Sequence, residues 1–377
     1  MAEKQFNTVG PSKPELHYLL DPLARVDLQE IEALIEAQRY FVLHAPRQTG
    51  KTTVLLALMA HLNAQGRYRA LYANIETAQA ARGNVERGIT AACSAIARSA
   101  QVYLGDTRLD DWLLRGEGRT VEAEEKLSRL LAHWSQLDPA RPAVLLLDEV
   151  DALVGDTLIS LLRQIRAGYA QRPQAFPQTV VLCGVRDVRD YRIHSGGGDI
   201  ITGGSAFNIK AKSLRLGNFS REETVALWRQ HTEATGQVFD EAIWPELWQD
   251  TQGQPWLVNA LGHECTWKDK ALRLNRAQPV TLAHYWAARE RLIQSRATHL
   301  DQLTDKLREP RVHRVIAPLL AGGQALWDPL PSIDDVEYVE DTGLVALRPQ
   351  MRAANRIYAR LIEQVLGRDV QAPSPTA

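Results

Sequence analysis

The chain has 377 residues, a formal net charge of −1 and a hydrophobic fraction of 45%, the balance of an ordinary globular protein of two or three modules. So even a charge supplies no global field for nucleic acid or an acidic membrane. No stretch approaches the ~20 apolar residues of a membrane span, and the N-terminal MAEKQFNTVGPSKPE holds no apolar core of signal-peptide type. Three cysteines, Cys93, Cys183 and Cys265, odd in number and far apart, argue against a disulfide or zinc framework and read as reduced, buried thiols of a cytoplasmic protein.

In chain order, Phe6 to Tyr18 is polar, with Gly10, Pro11 and Pro14, and reads as an extended arm. Asp27 to Gln38 is helical, because Leu28, Ile31, Leu34 and Ile35 share one face. Tyr40-Phe41-Val42-Leu43 is a short apolar strand, and Thr53 to Leu62 is an apolar-rich helix. The segment between them, HAPRQTGKT (44–52), is close to the phosphate-loop pattern G-x-x-x-x-G-K-[ST], with Ala45 where that pattern begins with glycine. Such a loop wraps phosphates in backbone N–H groups and aims a helix N-terminus at them. Gly50 stands where the chain turns into the helix and leaves least room for a side chain. At the loop entry the Ala45 methyl is tolerable. Ala45, Pro46, Arg47, Gln48, Thr49, Gly50, Lys51, Thr52 and Thr53 are therefore the candidate nucleotide-binding residues. Lys51 is placed to reach the β- and γ-phosphates, and the Thr52 hydroxyl to sit on Mg²⁺.

Ala70 to Asn74 reads as a second strand, Val85 to Tyr103 as a helix, and Asp106 to Leu137 as a charged, mostly helical insertion. Next, Ala143-Val144-Leu145-Leu146-Leu147 is a continuous apolar run ending in Asp148-Glu149. Such a run suits a parallel strand buried on both faces, and its carboxyl end is where open α/β sheets bind ligands. Asp148 there suits the water shell of Mg²⁺, and Glu149 suits the base that orients and deprotonates a water. The competing structural reading is a strand followed by a helix cap, with Asp151 as the cap. A helix follows over Thr157 to Tyr169, then a buried strand over Thr179 to Gly184. Arg186, just past that strand's end, is a candidate γ-phosphate sensor or a solvated arginine paired with Asp187. Asn74 is a candidate switch for the Glu149 carboxylate or a turn-forming residue. Ser195 to Ser205 is glycine-rich, and Phe207 to Leu216 reads as the last strand. Strands alternating with helices imply an α/β fold with a parallel sheet.

Beyond Asn218 the strands give way to helices. Ser220 and Glu223 make a capping box, and Gly253-Gln254-Pro255-Trp256 opens a helix with proline in its first turn. The last module ends in a helix over Ala353 to Leu366 and the tail QAPSPTA. Arg352, Arg356 and Arg360, spaced four apart with Arg348 upstream, read as a basic stripe on one helix face, open to DNA phosphates or to solvent. The ten histidines are scattered, and no His/Cys/Glu cluster has metal-ligand spacing.

Taken together, APRQTGKT (45–52), LLLDEVD (145–151), CGVRD (183–187), GQPWLVNAL (253–261) and the closing VEYVEDTGLV…NRIYARLI resemble the AAA-like ATPases related to STAND NTPases and origin-recognition ATPases. The resemblance covers nearly the whole chain, and Ala45 matches a loop variant frequent in that group. It implies a P-loop NTPase sheet of order 5-1-4-3-2, a helical lid and a C-terminal winged helix. The modules would be 1–38 (arm and adenine-pocket segment), 39–216 (ATPase core), 217–300 (lid), 301–368 (winged helix) and 369–377 (disordered tail). It implies ATP and Mg²⁺ as cofactors, with Lys51, Thr52 and Asp148 in the Mg–phosphate site. Glu149 would be the catalytic base, Arg186 the sensor arginine, and Pro255 the lid proline that packs on the nucleotide. Asn74 matches the switch position by location. The chain carries no M-H-D histidine motif, and Arg189 and Arg192 are the candidates for a trans arginine finger.

The expected function is an ATP-hydrolysing molecular switch, probed against two alternatives: a DNA-binding ATPase acting through the winged helix, and a nucleotide-gated scaffold that presents its tryptophan-rich lid. An unidentified protein, duplex DNA and a further copy of the chain in a homo-oligomer stay open as partners; a membrane is not expected.

Overall fold

The computed structural model describes residues 3–186, 192–194, 200–202, 208–295, 298–320, 331–347 and 351–370. The chain divides into two compact units, one made of residues 22–45 and 51–216 and the other of 1–21, 46–50 and 217–377.

The 22–216 unit is built on five parallel strands: β1 (Tyr40–His44), β2 (Arg69–Asn74), β3 (Ala143–Asp148), β4 (Thr179–Gly184) and β5 (Lys210–Arg215). Their order is β2-β3-β4-β1-β5, which read from the other edge is the expected 5-1-4-3-2. The continuous apolar runs have the cause proposed for them, since β3 and β4 are buried along their whole length. Alternate residues serve opposite faces. Phe41, Leu43, Val144, Leu146 and Val181 meet α1 (Leu28–Glu36) and α2 (Lys51–Ala64) on one face. Val42, Leu71, Ala73, Leu145, Leu147 and Val180 face the other, against α3 (Val85–Leu104), α5 (Ala123–Gln136) and α6 (Gly155–Ala167). Between α3 and α5 lies α4 (Arg108–Leu114). Asp27 caps α1 by accepting from the Glu30 N–H, as its residue type favours. Asp151 does not cap α6. It lies in a short 3-10 turn (Val150–Ala152), and Val154 stands at the helix start without a side-chain cap. Past β4, Arg192–His194 and Ile200–Thr202 form an antiparallel pair. Most of the glycine-rich segment around them, with Arg189, lies outside the described residues.

The other unit has its own core. Phe6 and Tyr18 are 1% and 2% exposed, so the N-terminal segment is no simple polar arm. The Phe6 ring packs 5.0 Å from Tyr18 and 5.7 Å from Trp228, and a Cβ on Gly262 would overlap it. The helices are α7 (Arg221–Thr235), α8 (Ile243–Thr251), α9 (Pro255–His263), α10 (Lys270–Leu274), α11 (Leu282–Gln294), α12 (Thr298–Leu307), α13 (Pro310–Leu320) and α14 (Ile333–Asp341). A two-stranded antiparallel ladder, β6 (Val345–Ala346) with β7 (Arg352–Ala353), precedes α15 (Arg356–Val370). The Ser220–Glu223 capping box forms at α7 as expected. Trp228, Trp244 and Trp256 are buried in the core, which explains much of the tryptophan content by packing.

The arginine stripe is not a helix face. Arg352 lies in β7, and α15 begins only at Arg356. Arg356 pairs with Asp250 at 2.5 Å and Glu246 at 2.6 Å, and Arg360 with Glu290 at 2.5 Å. Arg348 is outside the described residues. Spacing of four suggested one face; the chain instead leaves the ladder between Arg352 and Arg356, and acids of α8 and α11 take up Arg356 and Arg360.

Candidate nucleotide-binding site

The register of the sheet assembles the site. Parallel pairing sets Asn74 beside Asp148, Leu147 beside Leu182, and Leu43 beside Cys183. The carboxyl ends of β1 to β4 therefore finish together, where the loop leaves β1. Helix α2 begins at Lys51, so its unpaired N–H groups face the loop. Gly50 has φ +88° and Gln48 φ +59°. The glycine at position 50 is thus a backbone requirement. Ala45 is fully buried with an ordinary φ, so alanine at the loop entry meets no strain.

Lys51 is 7% exposed and its Nζ donates to the Ala45 carbonyl at 2.9 Å, which lays the side chain back along the inside of the loop. Thr49 Oγ1 donates to the Pro46 carbonyl at 2.8 Å and stiffens the loop tip. Thr52 Oγ1 donates to Asp148 Oδ2 at 2.8 Å. Residues far apart in the chain and singled out for a shared Mg²⁺ site are thus in direct contact. Asp148 is fully buried, and its other oxygen accepts the Glu149 N–H at 2.9 Å.

Glu149 has φ +60° and ψ +39°, the left-handed region. For a residue with a Cβ that conformation costs about 1–2 kcal/mol, and such strain collects at functional sites. Arg186 follows β4 in a bend and is half-buried. Asn74 accepts the Glu76 N–H at 2.8 Å, a turn-forming bond. Pro255 is buried in the first turn of α9. In that same unit the Gln254 amide caps Leu257 N–H at 2.6 Å and donates to the Gln48 carbonyl at 3.4 Å. Gly253 has φ +69°, and a Cβ there would stand 1.9 Å from the Phe219 carbonyl oxygen, so only glycine fits before this turn. Thr53 lies in the first turn of α2, and Arg47 in the loop tip.

Two neighbours of Asp148 were not foreseen. Tyr72 donates its hydroxyl to Asp148 Oδ2 at 3.1 Å from β2, and burial, with the adjacent carboxylate, pushes its pKa up. Cys183 lies against the same carboxylate, and burial followed by Asp148 raises its thiol pKa well above the usual value, so the thiol stays protonated. Strand alternation was the available signal for Tyr72, because it lies two residues before Asn74 and shares its face.

The donor set suits a hard, octahedral cation. One carboxylate and one hydroxyl converge beside a phosphate-type loop, and Mg²⁺ is bound by one or two carboxylates with waters and substrate phosphates. Elsewhere, no group of three or more His, Cys, Asp or Glu among the described residues is arranged to hold a metal. No described helix is long and apolar enough to cross a membrane.

Residues 35–191 match the family model described as an AAA domain. No curated protein matches the chain. Among solved structures, the Walker-type ATPase PABY2304 of Pyrococcus abyssi is similar at TM-score 0.62 and 14% identity, over 95% of this chain and 99% of that one. The ORC2 protein of Aeropyrum pernix, solved as ADPNP–ADP complexes, matches at TM-score 0.49 and 14% identity over 91% and 94%. The Aeropyrum pernix ORC1 protein, solved in complex with DNA, matches at TM-score 0.47 and 15% identity over 96% and 95%. At these identities the likeness to the Pyrococcus protein is one of fold, and it runs the length of both chains. The loop and the acidic strand end both lie inside the matched residues 35–191, so that part of the chain carries an AAA domain.

Proposed function

We propose that the chain is a Mg²⁺-dependent, ATP-hydrolysing switch. The observation that carries this reading is the Thr52–Asp148 contact at 2.8 Å, which joins the phosphate loop to the acidic strand end. In this reading the loop from Ala45 to Thr53 wraps the phosphates with its backbone, and Lys51 exchanges the Ala45 carbonyl for phosphate oxygens. Thr52 and Asp148 hold Mg²⁺, which when bound neutralises charge on the phosphate oxygens. Glu149 orients the attacking water and accepts its proton, and Arg186 senses the γ-phosphate. The Asn74 bond to Glu76 N–H supports a turn role over a switch for Glu149.

The switch part is supported by the Lys51 Nζ bond to the Ala45 carbonyl at 2.9 Å, which a bound phosphate would displace, so that loop conformation and ligand contacts change together, the requirement for a nucleotide to shift a population. Three helices followed by a short antiparallel ladder and a last helix support the winged-helix reading of the C-terminal module. Pairing of Arg356 and Arg360 inside the protein weighs against DNA phosphates on that helix, so the unidentified partner is better sought as a protein or a further copy of the chain.

Equilibrium binding of ATP and ADP, beside steady-state hydrolysis, tests the reading. Lys51→Ala should lose nucleotide binding; binding equal to wild type in that variant would remove the loop from the mechanism.

A further inference from the structure

The N-terminal segment is laid along one helix. Phe6, Asn7 and Thr8 are consecutive in the chain, and their partners on α9 are spaced three apart. A Cβ on Gly262 would stand 2.7 Å from the Phe6 ring. The Asn7 N–H donates to Asn259 Oδ1 at 3.2 Å, and Trp256 Nε1 donates to the Thr8 carbonyl at 3.1 Å. Helix residues three apart share a face, and three helical residues rise about 4.5 Å, close to the reach of one extended residue. The segment therefore runs antiparallel along one stripe of α9, toward the end that Pro255 opens. Asn259 ties that end to it, because its Nδ2 also donates to the Pro255 carbonyl at 2.8 Å.

The segment is closed into a loop at its base. The Gln5 N–H donates to the Leu16 carbonyl at 3.0 Å, and the Tyr18 N–H to the Gln5 carbonyl at 3.1 Å. Helix α7 grips this base. Tyr18 Oη meets His231 Nδ1 at 3.0 Å, and the Gln230 amide accepts the Leu19 N–H at 3.0 Å and donates to the Leu19 carbonyl at 3.1 Å. Between base and stripe the loop is open to solvent, with Val9 84% exposed. Two buried rings, Phe6 and Tyr18, fasten the base, whereas Asn7 and Thr8 follow α9 through two neutral hydrogen bonds, which hold less firmly.

We propose that residues 6–18 form a strap that reports the position of α9, with Asn259 as the positioning residue that couples the two. A shift of Pro255 and the first turn of α9 pulls Asn259 and Trp256, and with them the exposed loop after Thr8, while α7 keeps the base seated. The coupling to nucleotide rests on the reading in which Pro255 packs on the bound nucleotide; the strap's attachment to α9 does not.

Hydrogen exchange followed by mass spectrometry on the full chain tests this, with and without ATP and Mg²⁺, beside calorimetry of ATP binding on the same preparations. In wild type, bound ATP should change exchange in residues 5–18 together with α9. In Asn259→Leu, α9 should still respond and the strap should not. A strap that ignores bound ATP in wild type, or still follows α9 in Asn259→Leu, would overturn the proposal. Absence of ATP binding in wild type would remove the nucleotide reading by itself, and the ATP-free chains then decide. The Asn7 amide should exchange roughly 10-fold faster in Asn259→Leu, and equal rates would overturn the strap. If circular dichroism shows that Asn259→Leu does not fold, Asn259→Ser, too short to reach either partner, takes its place with the same expectations.

Discussion

Thr52 Oγ1 lies 2.8 Å from Asp148 Oδ2, which makes the hydroxyl of the phosphate loop and the carboxylate of β3 one polar cluster. A cation bridging them draws on both, so neither is replaceable by a group of equal size lacking the donor or charge. Asp148→Asn and Thr52→Ala should each lower Mg²⁺-supported ATP turnover by about 100-fold or more. Turnover titrated with Mg²⁺ checks this; two unimpaired variants would show that the contact is merely structural.

Tyr72 holds the same Asp148 oxygen from β2. A hydrogen bond to a charged group contributes about 1.5–3 kcal/mol. Tyr72→Phe removes that bond with little change in volume. The Mg²⁺ concentration at half-maximal turnover should rise roughly 10-fold or more, with nucleotide affinity nearly constant. An unchanged Mg²⁺ profile would leave Tyr72 as a core residue only.

Asp250 is fully buried and accepts from Tyr285 Oη at 2.8 Å, Arg356 Nε at 2.5 Å and Arg289 Nη1 at 3.4 Å. It therefore joins α8, α11 and α15. Removing one partner of a buried pair leaves an uncompensated charge, so Asp250→Ala should cost about 3–5 kcal/mol. Adding Arg356→Met should cost less than it does in the wild-type chain, because its bond to Asp250 is already gone and only the Glu246 pair remains to lose. Urea unfolding of wild type, the two single variants and the double variant measures this, and strictly additive losses would contradict the pairing.

His299 is 3% exposed, and burial lowers its pKa from 6.5 to about 4. Its Nε2 bonds Tyr358 Oη at 2.8 Å. The unfolded chain takes up a proton near 6.5 that the folded chain refuses until about 4. Stability is therefore highest above pH 6.5 and falls as pH drops through that window, by at most about 3 kcal/mol from this residue. Burial acts in the same direction on His231 and His263. Melting temperatures measured from pH 7 to pH 4.5 should fall less steeply in His299→Gln; parallel curves would show that His299 is protonated while folded.

Much of the sheet was legible because a strand buried on both faces must be continuously apolar, as Ala143 to Leu147 is. The loop residues were legible because Gly50 answers a backbone need that few other residues meet. The C-terminal arginines were misread because spacing carries no record of where a helix starts, and Arg352 precedes α15. Phe6 was hidden for a similar reason, as one apolar residue among polar neighbours gives no period, yet its ring finds Trp228 from across the chain. Tyr72 and Arg69 share β2, whose apolar residues announced a strand; what each polar group meets depends on β3, α5 and the turns beside it, which no local pattern encodes.

Single-turnover and steady-state hydrolysis of ATP, wild type beside Glu149→Gln, with and without duplex DNA, decides whether Glu149 is the base of an ATP-hydrolysing switch. A nucleotide switch of this kind turns over slowly in wild type and is indifferent to DNA. ATP binding should be retained in Glu149→Gln, with hydrolysis lowered by about 10²- to 10⁴-fold. Hydrolysis in Glu149→Gln equal to wild type would contradict the assignment of the base, and strong stimulation by DNA would replace the switch with a DNA-coupled ATPase.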